Sequence, residues 1–102
     1  MTVLALSGRL DSESSSAVEP LIMEGVKSSD RVVLDFSEVS YVSSAGLRIV
    51  LIAAKRVQQA NGAFALCSLK PEIQKIFEMS GLVRILRIFR SLEEAAETLN
   101  AP

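Results

Sequence analysis

The stretch Arg31–Arg56 reads RVVLDFSEVSYVSSAGLRIVLIAAKR, and its reading decides the fold class. The opening RVVLDF combines β-branched valines with Leu34 and Phe36, the composition of a central strand covered on both faces. From about Ser44 the period changes. Leu47, Val50, Ala54 and Val57 recur at helical spacing, and Ile49, Ala53 and Ala60 widen the sector. Ser44 to Ala60 is therefore expected to be a helix laid against a sheet and stopped by Asn61-Gly62. A buried strand feeding a helix that packs back on it is the repeating unit of an α/β fold.

The same alternation continues on both sides. Val3–Ser7 (VLALS) reads as a short strand ended by Gly8. Asp11–Ser16 is polar and serine-rich, and Ser16-Ala-Val-Glu19 fits a capping box opening a helix. Pro20 then implies a late start or a kink. Ser28-Ser29-Asp30 makes a turn before the central strand. Beyond Gly62, Ala63–Ser68 is the next strand, and Pro71 sits near the first turn of a helix over Glu72–Met79 that Gly81 ends. Ile85–Phe89 is a short strand flanked and interrupted by Arg84, Arg87 and Arg90, which suits a sheet edge. Ser91-Leu-Glu-Glu caps a last helix through Leu99. The order β-α-β-α-β-α-β-α, without repeat or linker, implies one α/β domain over residues 1–102 with a largely parallel sheet.

Composition narrows the function classes. Lys+Arg of 11 against Asp+Glu of 12 gives a formal charge of −1, which offers no general attraction for nucleic acid or an anionic membrane. There is no histidine and one cysteine, Cys67, inside the apolar run AFALCSL. A Cys/His zinc cluster and an internal disulfide are excluded, and Cys67 is expected to be a buried small apolar side chain. The start lacks a basic n-region, and the longest purely apolar run, Ile49–Ala54, is far short of the ~20 residues that span a bilayer. A cytoplasmic protein without a cofactor or metal is expected. The usual nucleophile–base pair is missing, the serine join reads neither G-x-S-x-G nor S-x-x-K, and no phosphate-binding glycine loop occurs, so no enzyme is expected. Asp35, at a strand end, invites a phosphoacceptor reading, but neither an acidic cluster after the first strand nor a lysine ending AFALCS accompanies it. Its expected role is to fix the following loop through backbone N–H groups.

The candidate functional point is the join Ser43-Ser44-Ala45-Gly46. One serine suffices to cap the helix, for about 1 kcal/mol. The other could stand exposed at the positive end of the helix dipole, where a phosphate is well accommodated. On the polar side of the same helix, Ser44, Arg48 and Ile52 share a face and form a candidate contact surface.

Three segments carry a resemblance: GRLD at Gly8–Asp11, VVLDFSEVSYVSSAGLR at Val32–Arg48, and IQKIFEMSGL at Ile73–Leu82. In order and spacing they resemble the STAS domain of bacterial anti-sigma factor antagonists. The resemblance implies a small α/β sandwich with a four- or five-stranded mixed sheet and helices mainly on one side. It also implies partner switching. The unmodified domain binds an anti-sigma factor that is itself a serine kinase, freeing the sigma factor. Phosphorylation of a serine at the start of the helix after the central strand ends the interaction, and a PP2C-type phosphatase resets it. The family motif, Asp-Ser-Ser/Thr/Ala-Gly-Leu, aligned on Gly46-Leu47, places that serine at Ser44 and puts Ser43 where the aspartate usually stands. Ser43 thereby becomes the competing phosphosite. Asp11 matches the Gly-x-Leu-Asp loop and with it the partner surface, beside an ordinary role as a turn or cap residue. The short strand with which the family usually begins is absent ahead of VLALS, which implies either a leaner sheet or a start site placed late. The other reading within the fold is a non-switching interaction module, a scaffold or the regulatory subunit of a transporter complex.

Overall fold

The computed structural model describes residues 1–100, which run β1 (Thr2–Leu10), α1 (Ser12–Ser28), β2 (Arg31–Val42), α2 (Ser44–Gln59), β3 (Ala63–Cys67), α3 (Pro71–Met79), a 3-10 turn (Leu82–Arg84), β4 (Arg87–Phe89) and α4 (Leu92–Leu99). The strands lie in the order β1-β2-β3-β4. All three pairs are parallel, which corrects the expected mixed sheet. The reason is connectivity: a helix joins each strand to the next, and such a crossover returns the chain in the same direction where a hairpin would reverse it.

Alternation along β2 divides the core. Val32, Leu34 and Phe36 face the layer of α1, α2 and α3, where they meet Ile22, Ile49, Val50, Ala53, Val57, Ile73 and Phe77. Phe36 and Phe77 pack edge to face with ring centroids 5.9 Å apart. Val33, Ala65 and Cys67 point the other way, under Ala95 and Leu99 of α4. Helices thus lie mainly on one side, and α4 alone covers the other. Cys67 is fully buried, and that burial pushes its thiol pKa up, so it packs as an apolar side chain.

Several local features differ from the sequence expectation. Helix α1 begins at Ser12 and not at a Ser16 box: Asp11 is the N-cap, paired reciprocally with Ser14, while the Ser16 hydroxyl donates to the Glu13 carbonyl at 3.1 Å. Pro20 lies inside the continuous helix. Strand β1 does not stop at Gly8, which keeps φ +74 within it. Strand β2 runs six residues past Phe36, through two irregularities. Between Ala5/Asp35 and Ser7/Glu38, and again between Gly8/Val39 and Arg9/Tyr41, β2 advances one residue more than β1. Asp35 holds the following segment through a backbone N–H, its Oδ1 accepting from Ser37 at 2.9 Å, but that segment is the first bulge of a continuing strand and not a loop. Finally, the fourth strand shrinks to Arg87–Phe89 behind the 3-10 turn, at the expected sheet edge.

Strand β3 ends opposite Asp35, so beyond that point β2 pairs with β1 alone. Ser7–Leu10 and Glu38–Val42 make a two-stranded parallel ribbon that outruns the four-stranded part of the sheet and delivers the starts of α1 and α2 side by side.

Candidate functional site

The tip of this ribbon is tied by one backbone group. The Leu10 carbonyl accepts the Ser43 N–H at 2.9 Å and the Ser43 hydroxyl at 3.5 Å. Gly46 lies directly over the same carbonyl, and a Cβ at that position would collide with it, so glycine is required by close approach. Leu10 is followed by Asp11 and Ser43 by Ser44, which brings the caps of the two helices together from opposite ends of a 33-residue separation.

Each cap is built from its neighbours. Asp11 Oδ1 accepts the N–H groups of Glu13 and Ser14 at 3.1 and 3.0 Å, and the Asp11 N–H donates to Ser14 Oγ at 2.9 Å. The Ser14 hydroxyl donates to the Arg9 carbonyl at 2.6 Å, and the Ser15 hydroxyl to the carbonyl of Asp11. The other Asp11 oxygen pairs with Arg9 Nε at 3.2 Å. The Ser14 N–H, with Arg9 beside it, holds the Asp11 carboxyl below the usual carboxylate range, so it is ionised at neutral pH. On α2, Ser43 is the cap: its Oγ accepts the Gly46 N–H at 3.4 Å.

Ser44 is the first residue of α2, exposed, with its hydroxyl making no hydrogen bond among the described residues. Arg48, one turn along, is also exposed, while Ile52 is half-buried and only partly available. The structure thus gathers Asp11, Ser43 and Ser44 at one tip and continues the stripe along α2 through Arg48 and Ile52. Two further residues stand there that the sequence reading did not single out. The Arg9 guanidinium lies 4.3 Å from the centre of the Tyr41 ring, the two being register partners across the ribbon. The signal for Arg9 lay inside GRLD, but its pairing with Tyr41 depends on a register that two bulges reset.

Among the described residues no cluster of three or more His, Cys, Asp or Glu could hold a metal ion, and no helix is long and apolar enough to cross a membrane.

Comparison with known proteins agrees with this geometry. The model of the STAS domain matches residues 1–95. A Bordetella bronchiseptica protein, BtrV, that bears the name of an anti-sigma factor antagonist is 40% identical over 97 residues, covering 94% of this chain and 84% of its own. In fold, an anti-sigma factor antagonist from Mycobacterium paratuberculosis superposes with a TM-score of 0.90 at 23% identity, over 97% of this chain and 85% of that one. The Bacillus cell-fate determinant SpoIIAA in its phosphorylated form superposes at 0.73 with 24% identity, over 97% of this chain and 91% of that one. The chain belongs to the STAS domain family.

Proposed function

We propose that this chain, a single STAS domain, is an anti-sigma factor antagonist working by partner switching, with Ser44 as its phosphorylation site. In the unmodified state the tip formed by Asp11, Ser43, Ser44 and Arg48, with the accessible part of Ile52, binds an anti-sigma factor that is also a serine kinase. A PP2C-type phosphatase restores that state. The protein works in the cytoplasm, without nucleic acid contact, cofactor or catalysis of its own. The carrying observation is the division of labour between the serines: Ser43 is engaged by Leu10 and Gly46, which leaves the exposed Ser44 hydroxyl free.

The switch is then a matter of charge. A serine hydroxyl enters an interface at little cost, whereas a phosphate brings roughly −1.5 to −2 charges that must be desolvated or matched. The name carried by the B. bronchiseptica relative and the existence of a phosphorylated SpoIIAA structure support this reading.

Intact-mass measurement of the chain from its own host, under growth and stress, with peptide mapping across Ser40–Arg48, tests it. One phosphate on Ser44 is expected. Phosphate on Ser43 would move the site. No incorporation in either condition, nor with ATP and the candidate kinase, would leave a non-switching interaction module.

A further inference from the structure

Helix α2 carries Arg48, Lys55 and Arg56 and no acidic residue. The chain has eleven basic and twelve acidic residues, so eight cations face all twelve carboxylates elsewhere, a formal balance of −4 against +3 on this one helix. Each of the other three α-helices among the described residues has a glutamate in its first turn: Glu13 on α1, Glu72 on α3, Glu93 and Glu94 on α4. The positive charge of α2 therefore runs undiluted from Ser44 onward. Arg48, Lys55 and Arg56 are all exposed. The ion pairs among the described residues are Arg9–Asp11 and Arg31–Asp30, so none of the three has a counter-ion there.

At about 100° per residue, Ser44, Lys55 and Arg48 fall within about 40° of arc, and half-buried Ile52 lies between Arg48 and Arg56. The face is a basic band about 17 Å long from Ser44 to Lys55, with an aliphatic side chain inside it. Arg56 has a local reason for its charge, since it sits in the last turn, where the helix dipole favours a cation. Arg48 has none. It stands in the second turn, toward the positive end of the same dipole, where a cation gains nothing from the helix.

We infer that this band receives an acidic protein surface, the carboxylate-bearing docking face of the anti-sigma partner, an inference that rests on the partner-switching reading. Three exposed cations around an aliphatic side chain fit a protein patch better than a long polyanion. Duplex DNA carries a charge about every 1.7 Å, and the net negative remainder of this small domain repels so extended a field. The same band gives Ser44 its leverage. A phosphate there lies one helical turn from Arg48, the i,i+4 spacing at which opposite charges pair. It occupies the first cation of the band and sets negative charge against the partner's carboxylates, so the sign of the surface changes at that end.

Two titrations test this. The isotope-labelled intact chain is titrated with octaglutamate, and separately with a DNA duplex of about 20 base pairs, at about 50 and about 300 mM salt. Octaglutamate is expected to shift amides over residues 44–59, and the shifts should collapse at the higher salt and in the double variant Arg48→Glu, Lys55→Glu. Calorimetry with the purified candidate kinase is expected to show affinity falling at least about tenfold across the same salt range, and again in Lys55→Glu, about three turns from Ser44. Lys55→Gln, a smaller change at the same exposed site, serves if the reversal unsettles α2. Octaglutamate shifts that miss α2, or centre on Arg84, Arg87 and Arg90, would overturn the inference. A duplex that shifts α2 more strongly than the peptide would do the same. So would a kinase that binds wild type and Lys55→Glu alike without salt dependence, an outcome that leaves partner switching intact. A kinase that binds no form of the chain removes partner switching itself, and the peptide titration then decides whether the band takes acidic protein.

Discussion

Ser43 and Ser44 are neighbours of the same residue type, yet the fold gives them different work. The Ser43 hydroxyl lies between the Leu10 carbonyl and the Gly46 N–H, while Ser44 faces solvent. Replacing Ser43 by alanine is therefore expected to cost about 0.5–1 kcal/mol, the lower half of the usual capping range because the bond to Gly46 is long at 3.4 Å. Ser44→Ala should stay within about 0.5 kcal/mol of wild type. Urea midpoints at unchanged slope measure both, and equal losses would mean that the two hydroxyls share the cap. The sequence alone left both serines available, because either is a good cap by composition. What separates them is Leu10, 33 residues away, against which Gly46 must close. Asp11 was legible as a cap or partner residue, and it is a cap; its tie to Arg9, and Arg9's to Tyr41, depended on a strand register that no local pattern displays.

At the scale of elements, the core helices and the first half of the central strand are plain from periodicity, whereas the second half of that strand is not. After Phe36 the buried residues of β2 are Val39 and Val42, three apart, because the bulges insert extra residues and break the two-residue alternation by which a strand is recognised. Ser37, Glu38 and Ser40 then look like a polar loop. The start of α1 is hidden for a different reason: Asp11 through Ser16 holds several acceptable caps, and the one used is the first to follow the end of β1. With the helix beginning at Ser12, Pro20 falls in its interior, where it has no N–H to offer the Ser16 carbonyl. Its ring is exposed, so little packing depends on it. Pro20→Ala is expected to raise stability by about 1–2 kcal/mol, the restored helix bond outweighing the proline's restriction of the unfolded chain, worth about 0.4–1 kcal/mol. A shift of the urea midpoint to higher concentration checks this, whereas a fall would show that α1 depends on the break in its ladder.

For the molecule as a whole, the parallel order of all four strands puts every strand's C-terminal end on one side, and the longer β1–β2 ribbon raises the tip carrying Ser44 beyond the four-stranded region that holds Leu34 and Leu66, and beyond Phe36, which packs on Phe77. Charge added at Ser44 is thus placed outside the core, at a helix start where negative charge is favourable. The proposed switch should therefore alter what the surface can bind without altering the fold that presents it. Ser44→Asp is expected to keep the melting temperature within about 4 °C of wild type, the shift that roughly 1 kcal/mol produces in a domain of this size. Its amide chemical-shift changes should be confined to the neighbourhood of Leu10, Asp11 and residues 43–48. Binding to the proposed anti-sigma kinase, measured by titration calorimetry, should fall by at least about tenfold, equivalent to 1.4 kcal/mol, while Ser44→Ala is expected to bind as wild type does. Loss of binding with shifts spreading to Phe36 and Phe77 would replace the charge switch by a conformational one. Retained binding by Ser44→Asp, with the fold unchanged, would remove Ser44 from the partner surface altogether.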